Sequence, residues 1–345
     1  MNRYLMWFKS LKSGNFFKRP SFSMAEILIS LTVIGIVAAV TLPALKNNVS
    51  QRAWNAQKKA LFVRLDGALS LMPALNGFGE YTVTVTETEE EGEEEGETIV
   101  TTTTDVTDTA ALTFVTKGLS KKLEMNRICD VDEIEKCGIP PKITTLSGSA
   151  ITFPKKVSEL NPVAINPGTY SGANYAGAPD TKIAAFETKN GESVAVFYNP
   201  VCTPTPTIFP GTSFPFYYVQ EVICVNLIYD LNGLALPNTV GKDVGFVTAL
   251  YSSGSSVVSP TPLSSNAATS TVTVASASQK CAAQAKDTRV PTENELASMF
   301  YNYRLLNITV SQDFIGTGSY QQDFNIGIGM PNKTSNNYLR CVRRR

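Results

Sequence analysis

The sequence contains no histidine and few charged residues. It has 345 residues, of which 17% are charged, and its 30 basic side chains balance 30 acidic ones. The absence of histidine excludes catalytic triads with a histidine base, histidine-ligated metal sites and imidazole pH switches. The zero net charge argues against a general nucleic-acid binder, which needs a basic excess. This composition favours an exported, β-rich domain over a cytosolic enzyme.

Motifs typical of enzymes are also missing. The chain has no GxSxG, no P-loop and no GxGxxG after a strand. Without histidine, a nucleophilic serine or cysteine lacks its usual base. We therefore expect a protein that is not an enzyme.

A long uncharged run near the N-terminus predicts a membrane helix. The 19 residues Ile27–Leu45 carry no charge, which is enough to span a bilayer as a helix. Residues 1–21 contain five basic side chains and no acidic one, so the N-terminus is expected to stay in the cytoplasm. Glu26 lies at the edge of the run. A carboxylate there either reaches the interface or has a partner and a function.

The segment FSMAEILISLTVIGIVAAVTLP (residues 22–43) closely resembles the N-terminus of type IV pilins and type II secretion pseudopilins. Phe22 matches the first residue of the mature chain and Glu26 the acidic position of the family. Gly35 matches the helix glycine and Pro43 the helix proline. One departure is Ser21, because the family usually has glycine before the cleavage site.

The resemblance implies processing and assembly in the inner membrane. A prepilin peptidase would cut between Ser21 and Phe22 on the cytoplasmic face, and the new amine would be methylated. Glu26 would then pair with the N-terminal amine of a neighbouring subunit in a filament. Such a pair offsets two desolvation costs and fixes the register of the subunits.

Residues 46–75 are predicted to continue this helix with an amphipathic half. Its apolar positions recur at spacings of three, four and seven residues, at Trp54, Leu61, Leu65, Ala68 and Met72. The sequence Asn76-Gly77 is expected to end the helix. From Phe22, a helix of about 50 residues would be about 75 Å long.

Residues 76–251 are predicted to form a β-rich pilin-like domain. Residues 81–104 contain two Thr/Val-rich strands around eight glutamates between Glu87 and Glu97, which suggests a β-ribbon with an acidic tip. Such a charge run is usually a solvated loop, and binding of a cation or partner is the alternative.

Six cysteines in an exported domain predict disulfides, with 15 conceivable connectivities. We favour pairing between nearest neighbours. The expected pairs are Cys129–Cys137, Cys202–Cys224 and Cys281–Cys341.

A polar loop after a buried strand is a candidate calcium site. Asp230, Asn232 and Asp243 offer hard oxygen ligands around the turn at Asn232-Gly233. The segment resembles the Asp/Asn-Gly loop of many pilin-like domains, which binds calcium in some pseudopilins. The pattern lacks the third ligand and the closing glutamate of an EF-hand. A well-capped turn without metal is the alternative.

The C-terminal part is expected to follow a linker. Residues 252–279 are rich in Ser, Thr, Ala and Pro, which predicts a linker or a loosely held strand-and-loop region. In residues 280–345, Pro291 and Thr292 with Glu295 predict a capping box at a helix start. Cys281, this helix start and the closing RCVR resemble a small lectin-like domain of bacterial surface proteins, which implies the Cys281–Cys341 pair. The terminal arginines are interpreted as a solvated basic end, with contact to DNA or an acidic surface as the alternative.

The sequence therefore predicts an α+β, pilin-like fold with one long N-terminal helix packed on an antiparallel sheet. The expected function is that of a structural subunit of a type IV pilus or a type II secretion pseudopilus. Its expected partners are the prepilin peptidase, other pilin subunits and the inner membrane. The alternatives are a minor tip adhesin that binds an extracellular ligand through residues 280–345, and a membrane-anchored surface protein that never polymerises.

Overall fold

The computed structural model describes most of the chain beyond the leader. The described residues are 23–72, 106–165, 179–200, 206–208, 217–219, 222–251, 255–263, 272, 274–285, 287–308, 313–315, 320–323, 328–331 and 338–343. For residues 38–51 only the backbone is described. The chain divides into two compact units, residues 1–53 and 54–345.

Seven α-helices lie in the described part of the chain. They are α1 (Met24–Ser70), α2 (Val106–Thr113), α3 (Val157–Leu160), α4 (Pro162–Ile165), α5 (Val274–Gln284), α6 (Glu293–Tyr301) and α7 (Tyr303–Leu306). A π-helix covers Phe114–Gly118, and 3-10 helices cover Leu119–Lys121 and Val131–Cys137.

The strands follow in chain order. They are β1 (Met125–Cys129), β2 (Lys142–Thr144), β3 (Ala150–Thr152), β4 (Ala184–Thr188), β5 (Ser193–Tyr198), β6 (Pro206–Ile208), β7 (Tyr217–Val219), β8 (Val222–Asp230), β9 (Val244–Tyr251), β10 (Ser255–Val258), β11 (Thr288–Arg289), β12 (Asp313–Ile315), β13 (Tyr320–Asp323), β14 (Ile328–Pro331) and β15 (Val342–Arg343).

A six-stranded antiparallel sheet forms the centre of the unit 54–345. Its strand order is β1-β4-β5-β8-β9-β10. Every residue of β5, with the sequence SVAVFY, is buried. A strand without polar alternation is typical of a sheet that is covered on both faces. The prediction of an α+β fold with an antiparallel sheet is confirmed.

Residues 54–70 of α1, together with Met72 just after its end, cover one face of this sheet. Leu61, Leu65, Ala68 and Met72 are buried, and Trp54 packs against the same core half-buried. These are the positions of the predicted apolar stripe. They pack with the side chains of Phe186 and Tyr198 from the sheet, so this part of α1 belongs to the core.

The opposite face of the sheet is covered by the helix Val131–Cys137 and by α6 and α7. Phe197 and Phe246 of the sheet share one core with Leu296 and Leu306 of these helices. A buried polar network also joins the layers: Asn226 and Asn302 exchange two side-chain hydrogen bonds of 2.9 and 2.8 Å.

The C-terminal helices α6 and α7 therefore lie within the main core. The sequence suggested a small separate unit over residues 280–345, whereas residues 54–345 form one compact unit. The buried side chains of α6, among them Leu296, Met299 and Phe300, belong to the same core as sheet residues on that face, which explains the difference. The predicted capping box is confirmed, since Thr292 and Glu295 cap each other's backbone at the start of α6.

Two of the predicted disulfides are confirmed. Cys129 pairs with Cys137 and Cys281 with Cys341, and the second bond lies in a small core of its own. Cys224 is also disulfide-bonded, while its predicted partner Cys202 lies outside the described residues.

Several predictions fall outside the described residues. The leader 1–21, the ribbon 81–104 and residues 252–254, 264–271 and 273 of the linker belong to this group. The described part of the predicted linker contains strand β10 and the start of α5, so it is more ordered than a linker. Among the described residues, no helix is both long and apolar enough to cross a membrane. The predicted membrane segment extends past Val37, the last side chain described in that stretch.

The packing of α1 on the sheet predicts a sharp contrast between two neighbouring positions. Leu65→Ala removes a side chain that is 0% exposed, so it should lower the free energy of unfolding by about 2–5 kcal/mol. Val63→Ala trims a side chain that is 61% exposed and should change it by less than about 0.5 kcal/mol. Urea unfolding of both variants in detergent tests this. Equal losses would contradict the assignment of the buried face.

Candidate functional site

Two places in the structure carry residues that the sequence singled out. The first is the start of α1. Ser23 Oγ accepts a hydrogen bond from the Glu26 backbone N–H at 3.3 Å, and the Ser23 N–H donates to Glu26 Oε2 at 2.9 Å. This is a capping box, which satisfies backbone donors that the first turn leaves open. It also holds the Glu26 carboxylate at the very end of the helix.

The residues after Glu26 present apolar side chains on every side of the helix. Ile27, Leu28, Ile29 and Val37 point in four different directions at 100° per residue, and each is about half exposed or more. The hydroxyls in this stretch are satisfied locally, since Ser30 donates to the Glu26 carbonyl and Thr32 to the Ile29 carbonyl. A helix that is apolar all round is suited to lipid or to a bundle of helices.

The other residues predicted for processing and assembly are only partly described. Gly35 lies in α1, and a side chain added there would meet nothing within 4 Å. Pro43 lies in α1 within the stretch whose side chains are not described, and Ser21 and Phe22 lie outside the described residues.

The second place is the connection between β8 and β9. Asp230 is the last residue of β8 and lies opposite Val244, the first residue of β9. The turn between them uses Gly233 with a φ of +63°, a conformation that favours glycine. Asp230 and Asp243 therefore stand at the two ends of one loop, as the sequence suggested, and both are buried.

Asp243 organises this loop through its carboxylate. It accepts backbone hydrogen bonds from Asn238 (2.9 Å), Thr239 (2.8 Å) and Val244 (3.1 Å). Bonds from several N–H groups stabilise a buried carboxylate without a metal. For Asp243, this arrangement therefore matches the alternative to calcium, which is a capped turn without metal.

The carboxylate of Asp230 accepts fewer backbone hydrogen bonds than that of Asp243. Its Oδ1 accepts from the Asn232 N–H at 3.0 Å, and its Oδ2 accepts from the Asn238 side-chain amide at 3.3 Å in the amide orientation that suits the neighbours. Burial, with a contribution from the Asp243 charge, raises the pKa of Asp230 to about 7. Asn232 Oδ1 is buried without a hydrogen-bond partner in the described part of the chain.

Lys58 of α1 contributes a positive charge that sequence patterns did not reveal. Its Nζ donates to the Gly241 carbonyl of the same loop at 2.8 Å. Burial lowers the pKa of Lys58 to about 8, although the Asp243 charge acts in the opposite direction. A contact between residues 183 positions apart has no signal in local sequence. The Ser23–Glu26 capping box was also not predicted, although its S-x-x-E spacing is a signal that could have found it.

The described residues contain no group of three or more Asp, Glu, Cys or His placed to hold a metal ion. Among the side-chain oxygens of Asp230, Asn232 and Asp243, Asn232 Oδ1 is the one that lacks a hydrogen-bond partner in the described part of the chain. Calcium at Asp230, Asn232 and Asp243 stays a prediction, for which the Asn232 oxygen is the most favourable feature.

Comparisons of the chain with models of known protein families, with characterised proteins and with solved structures find no match in any of the three.

The raised pKa of Asp230 predicts a pH-dependent stability. The folded protein keeps a proton on Asp230 up to about pH 7, whereas the unfolded chain releases it near the ordinary value of 3.8. The free energy of unfolding should therefore fall as pH rises from 4 to 7, by on the order of 4 kcal/mol. Asp230→Asn should remove this fall in urea unfolding with a chelator present.

The exposed Asp132 provides the control for this measurement. Asp132→Asn should keep the pH dependence of the wild type. A fall of the same size in Asp230→Asn would show that another group is responsible.

Proposed function

We propose that this chain is a structural subunit of a type IV pilus or a type II secretion pseudopilus. The observation that carries the proposal is the start of α1. There the Glu26 carboxylate accepts a hydrogen bond from the Ser23 backbone N–H, and the turns that follow expose large apolar side chains. The absence of an enzymatic motif in the sequence is consistent with a structural role.

The helix start supports assembly through an ammonium–carboxylate pair. A prepilin peptidase would cut between Ser21 and Phe22, so the new amine would lie one residue before Ser23. The capping box keeps the Glu26 carboxylate at that same end of the helix. The amine of one subunit and the carboxylate of the next could then meet among apolar helices, where a partner for each charge matters most.

The packing of the globular unit supports a role in which α1 transmits mechanical force to that unit. Residues 54–72 are part of the core between helix and sheet, so α1 cannot be withdrawn without breaking that core. The Arg64–Glu192 ion pair, with 2.5 Å between Nη2 and Oε1, adds a polar tie between α1 and the turn after β4. A subunit that is pulled from a membrane by its helix needs such a connection.

A tip adhesin and a membrane anchor that never polymerises are the two alternatives to a filament subunit. A tip adhesin would bind its ligand through residues 280–345, but residues 293–308 of this region share the core of the sheet. That packing gives no separable binding unit. A membrane anchor that never polymerises would need no particular partner for Glu26, and this difference can be tested.

Replacing Glu26 separates the filament subunit from a simple anchor. Glu26→Gln keeps the size and the cap acceptor but removes the charge. Filament recovery by shearing and sedimentation should fall by about a hundredfold, since breaking a buried ion pair costs about 3–5 kcal/mol. Membrane insertion, measured by fractionation, should not change.

The matched control is Glu135→Gln, which removes an exposed charge far along the chain. Filaments of this variant should be recovered at the wild-type level. Normal filaments from Glu26→Gln would contradict the proposed pairing.

A second proposal concerns calcium at the loop between β8 and β9. The buried, unpartnered Asn232 oxygen beside Asp230 favours it. Calcium at about 100 times its dissociation constant should stabilise the protein by about 2.7 kcal/mol, and Asp230→Asn should abolish this gain. Magnesium, which prefers fewer protein ligands, is the control ion. No shift with calcium at neutral or alkaline pH would assign the loop as a capped turn.

A further inference from the structure

A basic groove lies at one edge of the central sheet. It has a volume of about 570 Å³ and is lined by residues 120–128 and Lys189. The wall on one side is the end of the 3-10 helix Leu119–Lys121, and the wall on the other is the strand β1. The groove is distant in sequence from Glu26 and from the loop between β8 and β9.

The lining of the groove is positively charged. Lys121, Lys122, Arg127 and Lys189 face one acidic residue, Glu124. Lys189 pairs with Glu124 at 3.1 Å, and Arg127 donates to the Lys136 carbonyl at 2.6 Å. Lys121 and Lys122 are exposed and have no salt bridge within the described residues. Two adjacent lysines are thus open to an external anion.

The strand beside the groove has an open edge. β1 is the outermost strand of the sheet and pairs only with β4 among the described strands. Its pairing shifts between Met125 and Arg127, where the ladder is irregular. An edge strand offers backbone hydrogen bonds to an extended segment of another chain. A ligand that is both extended and acidic fits this edge and these lysines together.

The chain itself contains a segment of this chemistry. Residues 87–97 hold eight glutamates and are flanked by the Thr/Val-rich stretches 81–85 and 98–104. Without the leader, the chain keeps 25 basic and 30 acidic side chains, so the part outside this run has 25 basic against 22 acidic. The acidic excess of the mature chain is therefore concentrated in one short run, and the remainder is basic.

We propose that the groove between Leu119–Lys121 and β1 docks the acidic run 87–97 of a second copy of this chain. This inference rests on the proposed function, because a filament holds copies at a fixed short distance. Tethering of this kind produces effective concentrations in the millimolar range, at which a contact made mainly by surface charges is occupied. The contact would join globular units outside the helical core.

Carbodiimide cross-linking between two isotopic forms of the full-length protein tests this proposal. Filaments are assembled from an equal mixture of ¹⁵N-labelled and unlabelled subunits, and the cross-linked peptides are identified by mass spectrometry. We expect links from glutamates 87–97 to Lys121 or Lys122, with mixed-isotope pairs at the frequency of random mixing. Links found only within one isotope would show that each copy binds its own run, which overturns the proposal.

Charge reversal provides the matched control. The double variant K121E/K122E should reduce these cross-links about tenfold, because both positive partners become repulsive. The variant K142E/K155E makes the same charge change at two exposed lysines outside the groove and should leave the cross-links unchanged. Equal effects of both variants would overturn the proposal.

Filament formation and docking in the groove can be distinguished by experiment. Without filaments from the wild-type protein, the proposed function fails. With intact filaments but no links to Lys121, Lys122 or Lys189, only the docking proposal fails. Binding of a nucleic acid or a sulfated polysaccharide to the groove, lost in K121E/K122E while these links are absent, would also overturn it in favour of an external polyanion.

Discussion

The globular unit depends on a sheet that is apolar on both faces. β4, β5, β8 and β9 have buried side chains on either side, so the sheet needs a cover above and below. One cover comes from α1 and α2 at the N-terminal end of the unit, and the other from α6 and α7 near the C-terminus. Both parts of the chain are therefore required before the core is closed.

This requirement explains why α1 has two kinds of surface. Between Trp54 and Met72 its apolar side chains form one stripe, because only one side meets the sheet. Between Met24 and Val37 its apolar side chains lie on all sides, which a single sheet contact could not cover. The first pattern suits a water-soluble globule, and the second suits lipid or neighbouring helices. One helix thus supplies a core element and, in our proposal, an assembly element.

Local signals in the sequence were enough for much of this arrangement. The spacing of Leu61, Leu65 and Ala68 predicted the buried face of α1, and the capping box at Thr292 predicted the start of α6. The Asn232-Gly233 turn predicted that Asp230 and Asp243 lie on one loop. In each case the determining contacts lie within a few residues, or the periodicity itself defines the face.

Contacts between distant residues could not be predicted in this way. The bond from Lys58 to Gly241 and the Asn226–Asn302 network depend on how helices settle on the sheet. The same holds for the C-terminal helices. The sequence indicates which of their residues are apolar, but it does not indicate which surface these residues cover. The basic groove also combines Lys189 with residues 120–128, which only the pairing of β1 with β4 brings together.

Processing at the N-terminus is tested most directly by the mass of the intact protein and its N-terminal residue, measured after expression with and without a prepilin peptidase. We expect the peptidase to remove residues 1–21 and to expose Phe22, with one additional methyl group on the new amine. A chain that still begins at Met1 in the presence of an active peptidase would contradict processing at Ser21-Phe22, and with it the proposal of a pilin-type subunit.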